Sequence, residues 1–346
     1  MSSAEPASDR SNPLKAALSL FDATSIIVSI VIGSAIYEKA PFIASQATGW
    51  MLATRQWLAG GAESTALSEE PSRGLALAAV MSVWLLGGVV AWVGALCYAE
   101  LATAYPHAGG TYVYLSRAFG RYVGFAFVWT EFWIVRPGNV GAIAFVFARY
   151  AGRLLGLEPR PAVDVSLAGG AILVLAVVNA IGLNAGKWTQ NVLMACKVVG
   201  LIAIFLTGMF FAAPPEVRAA PLATSGSLAL AMIYIMFAYG GWADMSYVAA
   251  EVRDPVRNIS RALALGTLMI SAIYMLVNLA FASSLGIGGM AKSEAIAADV
   301  LSLAFGDYGS RAISLLICIS CLGAVQGMIF TGARVYYALG REQPLF

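Results

Sequence analysis

Residues Ala23 to Tyr37 read ATSIIVSIVIGSAIY and end against Glu38-Lys39-Ala40-Pro41. The run is apolar and free of charge, yet it falls short of the ~20 residues a helix needs to cross a hydrocarbon core. It also carries Gly33-Ser34-Ala35 where a spanning helix should be most regular. A first membrane segment, Leu18 to Ala44, interrupted near its middle accounts for both features. A second interruption falls at Tyr239-Gly240-Gly241-Trp242, inside the apolar stretch Leu228 to Ala250, where two glycines weaken the helix. A lone glycine in a membrane helix usually marks close packing. Paired breaks five segments apart point instead to a transporter of inverted repeats, with its ligand at the breaks near the bilayer midplane.

The rest of the chain fits that frame. Leu75 to Ala99, Val165 to Leu183 and Ala262 to Ile287 are charge-free and long enough to span. Tyr122 to Tyr150, Val192 to Ala213 and Ala312 to Gly332 bring the total to about eight segments. Of 346 residues 60% are apolar and 12% charged, against roughly a quarter charged in soluble chains. The fold class is therefore an all-α polytopic membrane protein in a lipid bilayer, with no room for a separate enzyme domain. A net charge of +2 without basic clusters interleaved with aromatics gives no reason to expect nucleic acid. Residues 1–17 read as a polar tail without signal-peptide order, 18–339 as the transmembrane domain, and 340–346 as a cytoplasmic end.

Catalysis finds little support. Cys97, Cys196, Cys318 and Cys321 all lie in apolar runs without metal-ligand spacing. His107, the sole histidine, occupies a turn-like stretch, so a histidine metal site or a Ser-His-Asp triad has one candidate at most. No metal or cofactor is implied, and a membrane-embedded enzyme lacks a convergent acid, base or metal set.

Several polar features remain. Ser45 to Gly74 reads as a long external loop containing Glu63, Glu69, Glu70 and Pro71. Its Trp50, Met51, Trp57 and Leu58 suit either a short interfacial helix or a disordered loop. Glu131, Arg136, Lys197 and Asp244 sit inside apolar segments, where charge is costly unless it faces a protein interior. Glu131 and Arg136 are five apart on one helix, so they do not face each other well and should find partners on other helices. Asp244, about one turn past the second break, suits a structural pair with a buried cation or recognition of a cationic substrate. Glu100 and Arg117, and Glu251, Arg253 and Arg257, are expected to form interfacial ion pairs. An even span count puts about ten Lys/Arg on one side and about eight on the other, too small a bias to orient the chain.

Laid out this way, the sequence resembles the amino acid-polyamine-organocation superfamily, and within it the L-type amino acid transporter branch. Ile32-Gly33-Ser34-Ala35-Ile36-Tyr37 resembles the family's Gly-Ser-Gly-Ile-Phe unwound segment. Gly94-Ala95-Leu96-Cys97-Tyr98-Ala99-Glu100-Leu101, with Pro106, Gly109-Gly110-Thr111-Tyr112 and Tyr114 after it, resembles the branch's most distinctive stretch. Trp129 to Pro137 is similar to a Glu-to-Arg-Pro run. Phe237-Ala238-Tyr239-Gly240-Gly241-Trp242 leads, as in the family, into Glu251, Asp254-Pro255, Arg257-Asn258 and Arg261-Ala262.

The resemblance implies a leucine-transporter-type fold of two inverted five-helix repeats with discontinuous first and sixth helices. It further implies an amino acid substrate and a cytoplasmic N-terminus; the expected location is a bacterial inner (plasma) membrane. The substrate would lie against Ile32, Gly33, Ser34, Ala35, Ile36, Phe237, Ala238, Tyr239 and Gly240, with Phe237 as an aromatic lid. Free amides from Gly33 to Ile36 would take the carboxylate, and freed carbonyls from Phe237 to Tyr239 the ammonium. A charge-poor pocket favours neutral substrates. Ala35 stands where the family has its second glycine, so its methyl is expected to crowd the carboxylate or narrow the choice of side chain. Lys197, in Gln190-Asn191-Val192-Leu193-Met194-Ala195-Cys196-Lys197, falls where sodium-coupled relatives of the fold bind a cation. Its ammonium would stand in for the ion, bridging the first and eighth helices, with a coupling role either as a proton carrier or as a fixed charge. Glu131, Arg136 and Asp244 would support the site. The family usually has twelve spans and this chain about eight, so its second repeat is expected to be incomplete. The alternative to a permease or exchanger is a non-transporting sensor or truncated remnant. A partner subunit is left open.

Overall fold

The computed structural model describes residues 16–58 and 72–342. The tail Met1 to Lys15 and the acidic stretch Glu63 to Pro71 lie outside them. The described chain is almost wholly helical. Helix α1 (Leu20–Val31) is separated from α2 (Ala35–Glu38) by Ile32-Gly33-Ser34, and α3 (Ala40–Leu58) follows. Then come α4 (Arg73–Ala104), the short α5 (Thr111–Phe119), α6 (Arg121–Thr130), a π turn at Glu131–Val135 and α7 (Arg136–Leu154). Next are α8 (Pro161–Ile181), α9 (Leu183–Phe210), one turn of α10 (Pro215–Arg218) and α11 (Leu228–Ala238), which stops at the second break. A 3-10 helix, Trp242–Glu251, continues that segment, followed by α12 (Pro255–Lys292), α13 (Ile296–Phe305) and α14 (Asp307–Glu342).

Among the described residues seven helical segments are long and apolar enough to cross a bilayer: Leu20–Glu38, α4, α8, α9, Leu228–Glu251, α12 and Asp307–Arg341. The eighth expected segment, Tyr122 to Tyr150, is helical too, as α6, the π turn and α7 in succession. Its charged residues Glu131, Arg136 and Arg149 set it apart in composition. The chain is an integral membrane protein. Leu173, Val174, Val177 and Ile181 of α8 are largely exposed apolar side chains, as a lipid-facing surface requires.

One expectation is corrected. Of the two readings of Ser45 to Gly74, the loop fails for Ser45 to Leu58 and the helix holds, though as a continuation of α3 rather than a separate short helix. The buried face of α3 is Ala40, Pro41, Ile43, Ala44, Ala47, Thr48 and Gly49, of which the small ones let backbones approach closely. A Cβ on Gly49 would run into the Ser225 carbonyl, so this helix packs directly on the chain entering α11. Trp57 and Leu58 end α3 exposed, at 78% and 71%.

Segment α1 occupies the centre of the bundle, packed by α9, α12, α14 and the 3-10 helix. Its N-terminus is fixed twice. Ser19 and Asp22 form a capping box. The amides of Ala17 and Leu18 donate to the Glu251 carbonyl, each at 2.9 Å, while Arg253 N–H donates to Leu18 at 2.9 Å. The Glu251 carboxylate in turn holds Arg334 of α14 through two hydrogen bonds of 2.9 and 3.0 Å. Thus Glu251 pairs across helices rather than with Arg253 or Arg257 in its own turn. The N-terminal end of the first segment and the C-terminal end of the sixth are laced together in this structure.

The two breaks also meet. Gly241 has φ +110, and a Cβ there would sit 2.7 Å from Ile30 Cγ2 of α1. Both the left-handed backbone and the contact exclude a side chain. Gly241→Ala is therefore expected to lower stability by about 1–3 kcal/mol. A thermal melt of the purified variant in detergent, showing a lower Tm at unchanged helix content, checks this.

Candidate functional site

Breaking a helix in hydrocarbon releases amides and carbonyls that must be satisfied within the protein. At the first break, Lys197 of α9 supplies the main compensation. Its side chain is fully buried, and Nζ donates to the Ser29 carbonyl at 2.7 Å and to the Ile32 carbonyl at 2.5 Å, with Ser29 Oγ at 3.5 Å. It does not snorkel to an interface. The eighth segment reaches the same carbonyls through Ser320 of α14, whose hydroxyl lies 3.2 Å from both the Ile32 and Gly33 oxygens. A Cβ on Gly323 would come 3.2 Å from Lys197 Nζ, so α14 packs its backbone against the ammonium.

With the carbonyls of Ile32 and Gly33 turned toward Lys197 and Ser320, the amides of Ser34 and Ile36 have no acceptor among the described residues. They cap the N-terminus of α2, where the peptide dipoles favour an anion. Gly33 is buried, yet a Cβ built there meets nothing within 4 Å. The side chains of Ile32 and Ile36 are fully buried in the core, so these two offer the break only their backbone. Ala35 is also buried.

The second break is joined to the first by one hydroxyl. Tyr274 of α12 is fully buried, and its Oη lies 3.1 Å from the Val31 carbonyl and 3.0 Å from that of Ala238. Tyr239 is buried against Trp84 and Tyr274, with ring centroids 6.1 and 5.1 Å away. The Gly240 amide donates to the Phe237 carbonyl at 3.2 Å, while the Tyr239 carbonyl has no partner among the described residues. Gly240 is exposed. Phe237 is 64% exposed and covers neither break in this structure. A cavity of about 650 Å³ is lined in part by Tyr37 and Glu38 of α2 and by Arg153, Glu294 and Arg311. None of Ile32 to Ile36 or Phe237 to Gly240 lines it.

The remaining charges form one cluster. Arg136 holds Glu131 at 2.6 Å and Asp244 at 2.6 Å, all three largely buried. Thr331 of α14 donates to Asp244 at 3.2 Å. The expectation that Glu131 and Arg136 do not face each other well is corrected here. The π turn lengthens the local repeat to five residues, shown by the Arg136 amide donating to the Glu131 carbonyl, and so stacks the two side chains on one face. Its cause lies one residue on: Pro137 has no N–H for the Trp133 carbonyl and its ring disturbs the preceding turn. The other half of the expectation holds, because Arg136 does find a partner on another segment, in Asp244. That pairing is the structural one, with a buried cation.

Tyr274, Ser320 and Ser29 were not legible as site residues, since a hydroxyl inside an apolar run carries no local signal. Removing Arg136 would leave two buried carboxylates facing each other. Arg136→Met is expected to cost about 3–5 kcal/mol, the range for an orphaned buried charge. Adding Glu131→Gln and Asp244→Asn to it should recover most of that loss in a detergent melting series. Equal instability of the single and triple variants would count against the charge account.

Comparison with known proteins agrees with this architecture. The amino acid permease family pattern matches residues 18–345. The b(0,+)-type amino acid transporter 1 of Mus musculus is 32% identical over 272 residues, covering 75% of this chain and 55% of its own length. Its Homo sapiens counterpart is 28% identical over 346 residues, covering 96% and 64%. The large neutral amino acids transporter small subunit 2 of Rattus norvegicus is 29% identical over 345 residues, covering 95% and 58%. The chain spans 55% to 64% of the length of these relatives. On the breadth of these matches the chain belongs to the amino acid permease family, on the L-type branch of the amino acid-polyamine-organocation superfamily.

Proposed function

We propose that this chain forms the substrate-binding part of a secondary amino acid transporter, selective for neutral amino acids and independent of sodium, with its N-terminus in the cytoplasm. The observation that carries the reading is the meeting of two interrupted helices whose free groups are of opposite character. The amides of Ser34 and Ile36 remain open at the first break, and the Tyr239 carbonyl remains open at the second. A zwitterion needs both kinds of compensation in low dielectric. Backbone groups supply it without a fixed counter-charge, which favours a substrate whose side chain is neutral. Asp244, the nearest carboxylate past the second break, is engaged by Arg136 and Thr331 and so is not free to select a cationic side chain. The names of the relatives, all amino acid transporters, support an amino acid as the substrate. Phe237, exposed beside the break, is assigned the part of a mobile aromatic cover.

Lys197 is assigned the place of the coupling cation. Its ammonium bonds two carbonyls of the first segment next to the Ser320 hydroxyl of the eighth, which is the bridging task a bound metal ion would perform. A fixed positive charge already in that place leaves no room for sodium.

Two experiments on the full-length protein test these assignments. Gly33→Leu puts a side chain beside the first break, where an added Cβ meets nothing within 4 Å, so it should abolish substrate-induced thermal stabilisation while preserving expression and the melting point of the free protein; Gly240→Leu should likewise block binding. Unchanged affinity in either variant would remove the breaks as the site. In liposomes, uptake with choline in place of sodium should match uptake with sodium, and Lys197→Ala should lose transport. Collapse of uptake in choline would refute the substitution of lysine for sodium.

A further inference from the structure

Away from the helix breaks, three segments meet around a second cavity of about 280 Å³. Arg73 opens α4 two residues before the charge-free run Leu75 to Ala99, and Arg218 closes α10, the single turn that follows α9. Gly286 kinks α12 six residues before Lys292, the charge that ends its apolar stretch. All three line the cavity, which therefore sits where hydrocarbon gives way to headgroups. None of Ile32 to Ile36 or Phe237 to Gly240 lines it. Both cations lack a counter-charge. Among the described residues neither Arg73 nor Arg218 is within ion-pair distance of a carboxylate, and no Asp or Glu lines the cavity. Arg218 Nε is buried and has no hydrogen-bond partner. A buried guanidinium N–H is costly to leave unpaired, so this one calls for an acceptor.

The turn that carries Arg218 is fixed against α12. Ala213 N–H donates to the Ser284 carbonyl at 2.9 Å. Gly286 has φ +70, and a Cβ there would come 2.6 Å from the Arg218 carbonyl oxygen; one on Gly288 would run into the Ala220 carbonyl. Only glycine allows this approach, so the backbone of Arg218 is seated before any ligand arrives. The walls then select the ligand. A guanidinium presents paired N–H donors that match phosphate oxygens. Ala76, Leu77, Leu222 and Ile287, also in the lining, are apolar and offer side-chain contact only to a hydrocarbon. Leu75 and Val217, next in sequence to lining residues, are 44% and 41% exposed and extend that apolar surface outward.

We infer that this cavity binds an anionic phospholipid, with the phosphate ester held by Arg218 and Arg73 and the glycerol and first acyl carbons laid against α4 and α12. A basic pocket between membrane helices at headgroup depth is suited to that class of ligand. The two cations have no anionic neighbour to share the site with, so a headgroup of net negative charge is preferred over a zwitterionic one that brings its own cation. A free phosphate has the same oxygens but gains nothing from the apolar walls. A bound lipid joins α4, α10 and α12 at the face where α9 ends, and it does so whatever substrate the helix breaks hold.

The test melts the full-length protein in detergent micelles against rising dioleoyl phosphatidylglycerol, with dioleoyl phosphatidylcholine, glycerol 3-phosphate and inorganic phosphate as separate arms. Phosphatidylglycerol should raise Tm saturably, as a ligand of the folded state does, and the other three should not. Arg218→Gln should weaken its apparent affinity about tenfold, and Arg73→Gln, at the exposed rim, about threefold. Arg160→Gln, exposed at the start of α8 and outside the cavity, should leave it unchanged. Native mass spectrometry reads the same site without melting: wild type should retain a phosphatidylglycerol that Arg218→Gln loses. Equal affinity of wild type and Arg218→Gln, or an equal loss in Arg160→Gln, would overturn the site. Stabilisation by either soluble phosphate as large as that by phosphatidylglycerol would overturn the lipid. A wild type indifferent to phosphatidylglycerol, with a response gained in Glu69→Gln/Glu70→Gln, would overturn it too, by making the chain's own carboxylates the partner of the arginines.

Discussion

The fold depends on satisfying the carbonyls that the broken first segment sets free. In hydrocarbon an unpaired carbonyl costs several kcal/mol, so a break is tolerated only where something donates to it. Lys197 does so for Ser29 and Ile32, Ser320 adds a donor to Ile32 and Gly33, and Tyr274 serves Val31. These donors come from α9, α14 and α12, the helices that enclose α1. The same bonds that make the break affordable therefore fix the position of α1 in the bundle. They also decide which groups remain open: with the carbonyls occupied, it is the amides of Ser34 and Ile36 that have no acceptor among the described residues.

A similar economy governs the charged cluster. Arg136 is shared by Glu131 and Asp244, so a single guanidinium joins the third segment to the helix that follows the second break. The bidentate geometry of arginine allows this, and lysine could not reproduce it. The π turn is what brings Glu131 into reach, and Thr331 of α14 adds the eighth segment to the same carboxylate. Three segments thereby share one polar node just beyond the second break.

How much of this was legible in the sequence follows from the range of each signal. Both breaks are written in adjacent residues, as glycines inside runs too short or too weak to span, and the structure has them where they were read. Lys197 was conspicuous because a charge deep in an apolar run must have a partner. Helix α3 was misread beyond Ala44 because its packing face is alanine, threonine and glycine, which give no apolar period against polar neighbours. The Glu131–Arg136 pair was missed because a π turn shifts the helical phase; Pro137 immediately after Arg136 was the one available sign. Tyr274 and Ser320 act across more than 200 residues of sequence separation, and nothing near them in the chain announces it. The orientation of Phe237 belongs to the same class, since exposure of one side chain is set by packing alone.

The bonds around the breaks differ in what they can tolerate. Tyr274 has one proton to divide between Val31 of the first segment and Ala238 of the sixth, so it ties two elements weakly where Lys197, with three donors, ties one strongly. Movement of the sixth segment relative to the first is then cheap at Tyr274, while α1 stays with α9 through Lys197 and Asp22. The backbone lacing of Ala17 and Leu18 to Glu251, with Arg334 behind it, opposes that same movement at the N-terminal face. A substrate placed as proposed, spanning Ser34 and Tyr239, would add contacts on both sides of the weak joint, and only binding that differs between two arrangements can shift their balance. With the site placed as proposed, such a difference would arise at the single shared hydroxyl of Tyr274, which lies between the Val31 and Ala238 carbonyls and could satisfy either one fully if the other were taken.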